Sequence, residues 1–179
     1  MMLRTYGAIL AWALALSLTS PALGQPGSPP LRPGDVLPSV AGETLSGKPL
    51  DLPAAAQDRA AVVIFSFSRA GGRDAQNWAQ HLAKDYPRLD IYNVIFLESV
   101  SRLFRGMAVS GIRSGMPPAI QDRGAIVYRL QSIWEQRLQV TNEADATVVV
   151  LGRAGSIRGM ARGPFAESVY ARIRAGVGP

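Results

Sequence analysis

The sequence predicts an α/β domain with a central mixed sheet flanked by helices, on three observations. Residues 60–67 and 147–151 are almost wholly apolar runs, broken only by Ser66 and Thr147 and rich in β-branched residues, the pattern of short strands buried on both faces. A helix-period stretch from Asp74 to about Tyr86 separates the first run from another at 91–97, the strand–helix–strand order of a parallel βαβ unit. The C-terminal third then reads strand, turn, strand, helix.

Taken in order, the chain opens on a short basic segment, Met1 to Arg4, and an apolar run over 6–18. Ala22 and Gly24 suit the small-residue positions of a secretory cleavage site, so residues 1–24 are expected to be a signal peptide and the protein to be exported to the periplasm. An uncleaved anchor is the weaker alternative, because the run falls short of the roughly 20 residues that span a bilayer comfortably. Residues 25–38 carry Pro26, Pro29, Pro30, Pro33 and Pro38 and read as an extended linker before a domain over 39–179.

Within the domain, Gly42-Glu43-Thr44-Leu45 and Pro49-Leu50-Asp51-Leu52 flank Ser46-Gly47-Lys48 as a small hairpin. After the first buried strand, Arg69-Ala70-Gly71-Gly72-Arg73 reads as a turn, with a helix from Asp74. Ala75, Trp78, Ala79, Leu82 and Tyr86 make its apolar face, and Pro87 stops it. Residues 98–124 read as a helical insertion with one stripe of Val100, Leu103, Phe104, Met107 and Ala108. Gly106, Gly111 and Gly115, followed by Pro117 and Pro118, are expected to interrupt any long helix there. A short strand over 125–128 and a helix over 130–140 follow. After the strand at 147–151, a turn at 152–155 leads to a strand at 156–161. Gly163-Pro164 then opens a terminal helix with Phe165, Val169, Tyr170 and Ile173 on its apolar face, Glu167 near its positive end and Arg172 and Arg174 near its negative end.

Composition removes much chemistry. The 179 residues include no Cys and only one His, His81. Disulfides, thiolate nucleophiles, Cys-ligated zinc and multi-histidine metal sites within one chain are therefore excluded, and no cofactor or metal is expected. The formal net charge is +6. For an exported protein that balance points to acidic proteins or anionic lipid. Nucleic acid is a poor candidate, since the basic residues are spread out and no nucleic-acid-binding signature occurs.

The order of elements resembles the thioredoxin-like fold of exported thiol reductases and peroxiredoxins. Phe65-Ser66-Phe67-Ser68-Arg69-Ala70-Gly71-Gly72-Arg73 stands where those families place a strand and a Cys-x-x-Cys helix start, and Glu143-Ala144-Asp145-Ala146-Thr147 where they place a cis-proline. Both redox elements are absent, so the resemblance implies the fold without thiol–disulfide activity. In the C-terminal third, Asn142, Gly155, Ile157, Arg158, Gly163 and Glu167, spaced around the strand at 147–151, resemble the end of the mitochondrial ATP synthase assembly factor family. That family's Trp after the Arg is Gly159 here, and its common strand-end Asp is Gly152. This second resemblance implies an accessory or assembly role.

The candidate chemistry is sparse, and no catalytic residue is assigned. Gly42 to Lys48 has phosphate-loop spacing, but Pro49 follows where a hydroxyl residue would hold magnesium, so a hairpin turn is the better reading. His81 has no Gly-x-Ser-x-Gly partner and reads as a helix-boundary residue. Glu143 and Asp145 are too few for a calcium site. Arg69 and Arg73 bracket two glycines beside a helix start, an arrangement able to take a carboxylate or phosphate. Arg102, Arg105 and Arg113 beside Leu103, Phe104, Met107, Ile112 and Met116 form a candidate partner-binding flap, and Arg158 is expected to pair with an acid or line the same surface. The expected function is an exported, non-redox binding protein, an accessory or assembly factor for a membrane-associated or acidic client. The alternative is a small-molecule or anion-binding protein or enzyme using the vacated cleft. An anionic membrane surface is a further candidate partner.

Overall fold

The fold was obtained as a computed structural model, which describes residues 28–56 and 59–178; the expected signal segment lies outside the described residues. Seven strands form one mixed sheet: β1 (Val40–Thr44), β2 (Pro49–Leu52), β3 (Ala61–Ser66), β4 (Asp90–Phe96), β5 (Gly124–Val127), β6 (Thr147–Leu151) and β7 (Ile157–Arg162). Their order is β2-β1-β5-β4-β3-β6-β7. β3, β4 and β5 run parallel, and the hairpin β1–β2 and strands β6 and β7 pair antiparallel at the two sides. Among the described residues the α-helices are α1 (Arg69–Asp85), α2 (Arg102–Ser114), α3 (Gln131–Leu138) and α4 (Glu167–Val177).

The apolar runs became the central strands because both sheet faces are covered. β3 and β6 are buried at every position. Alternate residues of these strands feed different cores. Val63, Phe65, Val94, Phe96, Val149 and Leu151 pack with Trp134 and Leu138 of α3 on one face. On the other, Val62, Ile64, Val148 and Val150 pack with Ala75, Trp78 and Leu82 of α1 and Tyr170 and Ile173 of α4.

Several expectations need revision. α1 begins at Arg69, five residues before Asp74, because Ser68 caps it: Ser68 Oγ accepts from the Gly71 N–H at 3.1 Å. α2 runs unbroken through Gly106 and Gly111, so those glycines weaken the helix without ending it. α4 starts at Glu167, leaving Pro164 in the preceding loop rather than at the first helical position. Of the proline-rich segment, the part from Leu31 onward lies against the domain, with a turn at Pro33-Gly34. Leu31 and Leu37 are buried, and the N–H groups of Leu31, Gly34 and Leu37 donate to the carbonyls of Arg137, Ile157 and Gly155. Two apolar anchors and three backbone bonds override the freedom that the prolines suggest.

The joint between α1 and α4 carries a pH dependence. Tyr170 is buried, and its hydroxyl lies 2.9 Å from Asp85 Oδ2 and 3.2 Å from the His81 carbonyl, both acceptors. Burial, then the hydrogen bond to Asp85, pushes the phenol pKa above its ordinary value. The folded state thus resists ionisation that the unfolded chain undergoes near pH 10. Stability is fully present below that pH and is lost as pH rises beyond it. Tyr170→Phe should remove this component, giving a flatter stability profile above about pH 10 in urea titrations; an unchanged slope would contradict the assignment.

Candidate functional site

Because β3, β4 and β5 are parallel, the starts of α1, α2 and α3 gather at one end of the sheet. Ser68 organises this end. Its hydroxyl donates to the Glu143 carbonyl at 2.7 Å while accepting from Gly71, tying the start of α1 to the loop before β6. Gly71 is required for the approach, since a Cβ there would stand 2.6 Å from the Glu143 carbonyl oxygen. Asp74 completes the tie: Oδ2 accepts from the Ala146 N–H at 2.9 Å, and Oδ1 from the Phe165 N–H at 3.2 Å. Trp78 Nε1 donates to the Gly163 carbonyl at 3.2 Å. Sequence reasoning missed Asp74 as a joint between elements, because its partners lie 72 and 91 residues away.

Arg69 and Arg73 lie in the first two turns of α1, both exposed and without an ion pair among the described residues. Arg102 is likewise exposed at the start of α2. Arg105 is committed to its own domain. Its Nε donates to the Val100 carbonyl at 3.0 Å, and its guanidinium lies 4.8 Å from the centre of the Tyr128 ring. Arg113 sits at the far end of α2, where Nε donates to the Leu45 carbonyl at 2.7 Å. Arg158, on the first half of β7, is at the opposite end of the sheet from Arg69; it forms no ion pair among the described residues and lies over Gly152, where a Cβ would come within 2.4 Å of its Nε. The structure therefore gathers Arg69, Arg73, Arg102 and Arg105 at one end and leaves Arg113 and Arg158 apart.

The other candidates are structural. Lys48 pairs with Asp122 at 2.8 Å, and Ser46 also donates to Asp122, so the phosphate-loop lookalike is a hairpin turn held to the start of β5. These bonds, that to Lys48 first, hold the Asp122 carboxyl below its ordinary pKa. His81 stacks on Phe165 with ring centres 3.8 Å apart. Asp90 is buried at the opposite end of the sheet and is matched by Arg59 at 2.8 Å and Arg123 at 2.7 Å. Among the described residues no group of His, Asp or Glu could hold a metal ion.

Beside the tied loop lies a cleft of about 140 Å³, lined by Thr141, Asn142, Asp145, Arg162 and Gly163 among others. Two of its polar side chains are already engaged. Asn142 Oδ1 accepts from the Ala144 N–H at 3.1 Å, and Arg162 donates to the Leu138 carbonyl and Gln139 Oε1. Burial pulls the Arg162 pKa below its ordinary value. Asn142 and Gly163, two members of the C-terminal motif, thus shape a turn and receive Trp78, while Gly155 adopts φ +70° against Pro53.

No protein-family model matches the chain, and no curated protein matches it in sequence. Solved structures do. A putative thiol:disulfide interchange protein DsbE from Chlorobium tepidum is 16% identical, with 83% of this chain and 99% of that one covered and a TM-score of 0.58. The thioredoxin domain of a thiol-disulfide oxidoreductase from Bacteroides vulgatus is 15% identical, with 83% and 99% covered and a TM-score of 0.56. BsSco, a member of the Sco family of cytochrome c oxidase assembly proteins, is 9% identical, with 82% and 96% covered and a TM-score of 0.55. The fold is thioredoxin-like, and the chain has no Cys with which to perform thiol–disulfide chemistry.

Proposed function

We propose that this protein is an exported, non-redox thioredoxin-like binding protein, an accessory or assembly factor for a membrane-associated complex. One observation carries the reading: the start of α1, where the resembling families carry Cys-x-x-Cys, here presents Arg69 and Arg73 to solvent. A turn capped by the Ser68 hydroxyl lies between them, and no Cys stands beside it. Two exposed guanidiniums at a helix N-terminus suit an acidic segment of a client protein. The resemblance of the C-terminal third to the mitochondrial ATP synthase assembly factor family supports the same role, as does a shared fold with a cytochrome c oxidase assembly protein. The alternative, a small-molecule enzyme or anion binder in the vacated cleft, meets a space of about 140 Å³ where ligand pockets usually run to about 300 Å³ or more.

Chemical crosslinking of the tagged full-length chain in native membranes, read by mass spectrometry, tests the proposal. The expected product joins the start of α1 to an acidic segment of one membrane-associated protein. Arg69→Glu with Arg73→Glu should cut that product about tenfold or more, since both charges reverse, while the melting temperature stays within a few degrees because both side chains are exposed. Undiminished crosslinking would reject this surface. Failure to crosslink, with ligand-dependent melting in a metabolite screen, would favour the alternative.

A further inference from the structure

α2 is turned the wrong way for a helix whose only partner is its own domain. Its packed side is made of Ala108, Val109 and Ile112, set against Leu45, Leu97, Met116 and Ile126. Its largest apolar side chains face outward: Leu103 is 84% exposed, Met107 72% and Phe104 53%. Leu103 and Met107 are one turn apart on the outermost line, with Phe104 beside them. No residue of the helix is fully buried, and none is acidic. Arg102 and Arg113, both exposed, stand at the two ends of the helix beside the apolar line, whereas Arg105 turns inward to Val100 and Tyr128.

We propose that this face of α2 lies on the surface of an anionic lipid bilayer, with Leu103, Phe104 and Met107 entering the acyl boundary and Arg102 and Arg113 at the headgroups. Charge complementarity selects this occupant. A second copy of the chain would bring two arginine-flanked, acid-free helices together, whereas anionic headgroups match them. The apolar residues project from a convex helix with arginines alongside, the arrangement of helices that lie in a membrane interface. The inference rests on the membrane-side location proposed above and uses a different surface from the client site on α1.

The cysteine-free chain permits a local test. Ser110→Cys on the exposed line of α2 and Arg88→Cys at the opposite end of the sheet each receive an environment-sensitive fluorophore in the full-length protein. Each is mixed with phosphatidylcholine vesicles with or without phosphatidylglycerol, carrying a lipid-borne quencher. The expected result is quenching at position 110 and not at 88, confined to anionic vesicles and weakened by salt. It should fall about tenfold in Leu103→Ser/Phe104→Ser/Met107→Ser, whose fold circular dichroism verifies. If position 110 stays unquenched while the chain sediments with vesicles, the amino-terminal run alone binds lipid and the proposal is overturned. Equal quenching on neutral vesicles overturns the charge argument. A protein crosslink from α2 that the triple-serine variant loses, with no vesicle binding by the parent chain, overturns it in favour of a protein partner. Crosslinking through Arg69 and Arg73 is scored separately, so either reading can fail alone.

Discussion

Replacing Trp78 with alanine is expected to cost about 3–5 kcal/mol of folding stability, the largest loss from a single truncation on this face of the sheet. Trp78 is fully buried in the middle of α1. Its ring meets Phe165 edge-on at 5.2 Å and lies 6.2 Å from Tyr170, so one side chain joins α1, the loop before α4, and α4 itself. Its Nε1 donates to Gly163, a residue at φ +99° whose carbonyl would lose this donor. Removal leaves a cavity that rigid strands β3 and β6 cannot close. For a domain of this size the melting temperature should fall by roughly 10 °C, with a matching shift in the urea midpoint. Trp78→Phe restores most of the volume but not the hydrogen bond and should recover more than half of the loss. A fall of only a degree or two for the alanine variant would mean that the α1–α4 joint does not hold the fold together.

Asp74→Ala should have the next largest effect, about 2–4 kcal/mol, because one carboxylate serves two backbone donors from separate parts of the chain. Without it, the N–H groups of Ala146 and Phe165 must find water at a partly buried joint. Asp74→Asn offers one carbonyl oxygen in place of two and turns an amide N–H toward the other donor, so it should fall between alanine and the parent. Hydrogen exchange distinguishes this local role from a general loss of stability. Protection at Ala146 and Phe165 should drop more than protection in β3, whereas uniform loss would mean that the carboxylate acts only through global stability. Since Ser68, Gly71 and Asp74 together hold the loop beside Arg69 and Arg73, the alanine variant should also weaken client crosslinking beyond what its stability loss explains.

The sheet was legible because its signal is local. Residues 61–66, 90–96 and 147–151 are short, β-branched and continuously apolar or alternating, and such runs leave little choice but a covered strand. The absence of thiol chemistry was legible from a count alone. The start of α1 was not, since Gly71 and Gly72 read locally as a turn. They belong to the helix because Ser68 caps it and because the Glu143 carbonyl needs a residue without a Cβ at position 71. The six candidate arginines could be identified by type but not sorted. Only folding shows that Arg105 and Arg113 spend hydrogen bonds on their own backbone, and that Arg158 stands at the far end of the sheet.

α2 marks the boundary most clearly. Its sequence shows one apolar stripe, Val100, Leu103, Phe104, Met107 and Ala108, and periodicity does not tell which part of it meets the sheet. The structure turns Ala108 inward with Val109 and Ile112, because the space between α2 and the sheet is already filled by Leu45, Met116 and Ile126 and accepts only modest side chains. Composition and periodicity alone determined an α/β sheet protein without thiol–disulfide chemistry, since a count and neighbours along the chain suffice for both. Which helix face meets solvent, and which arginines remain free to meet a partner, depends on the volume and donors left by residues distant in sequence, and only the tertiary structure decided it.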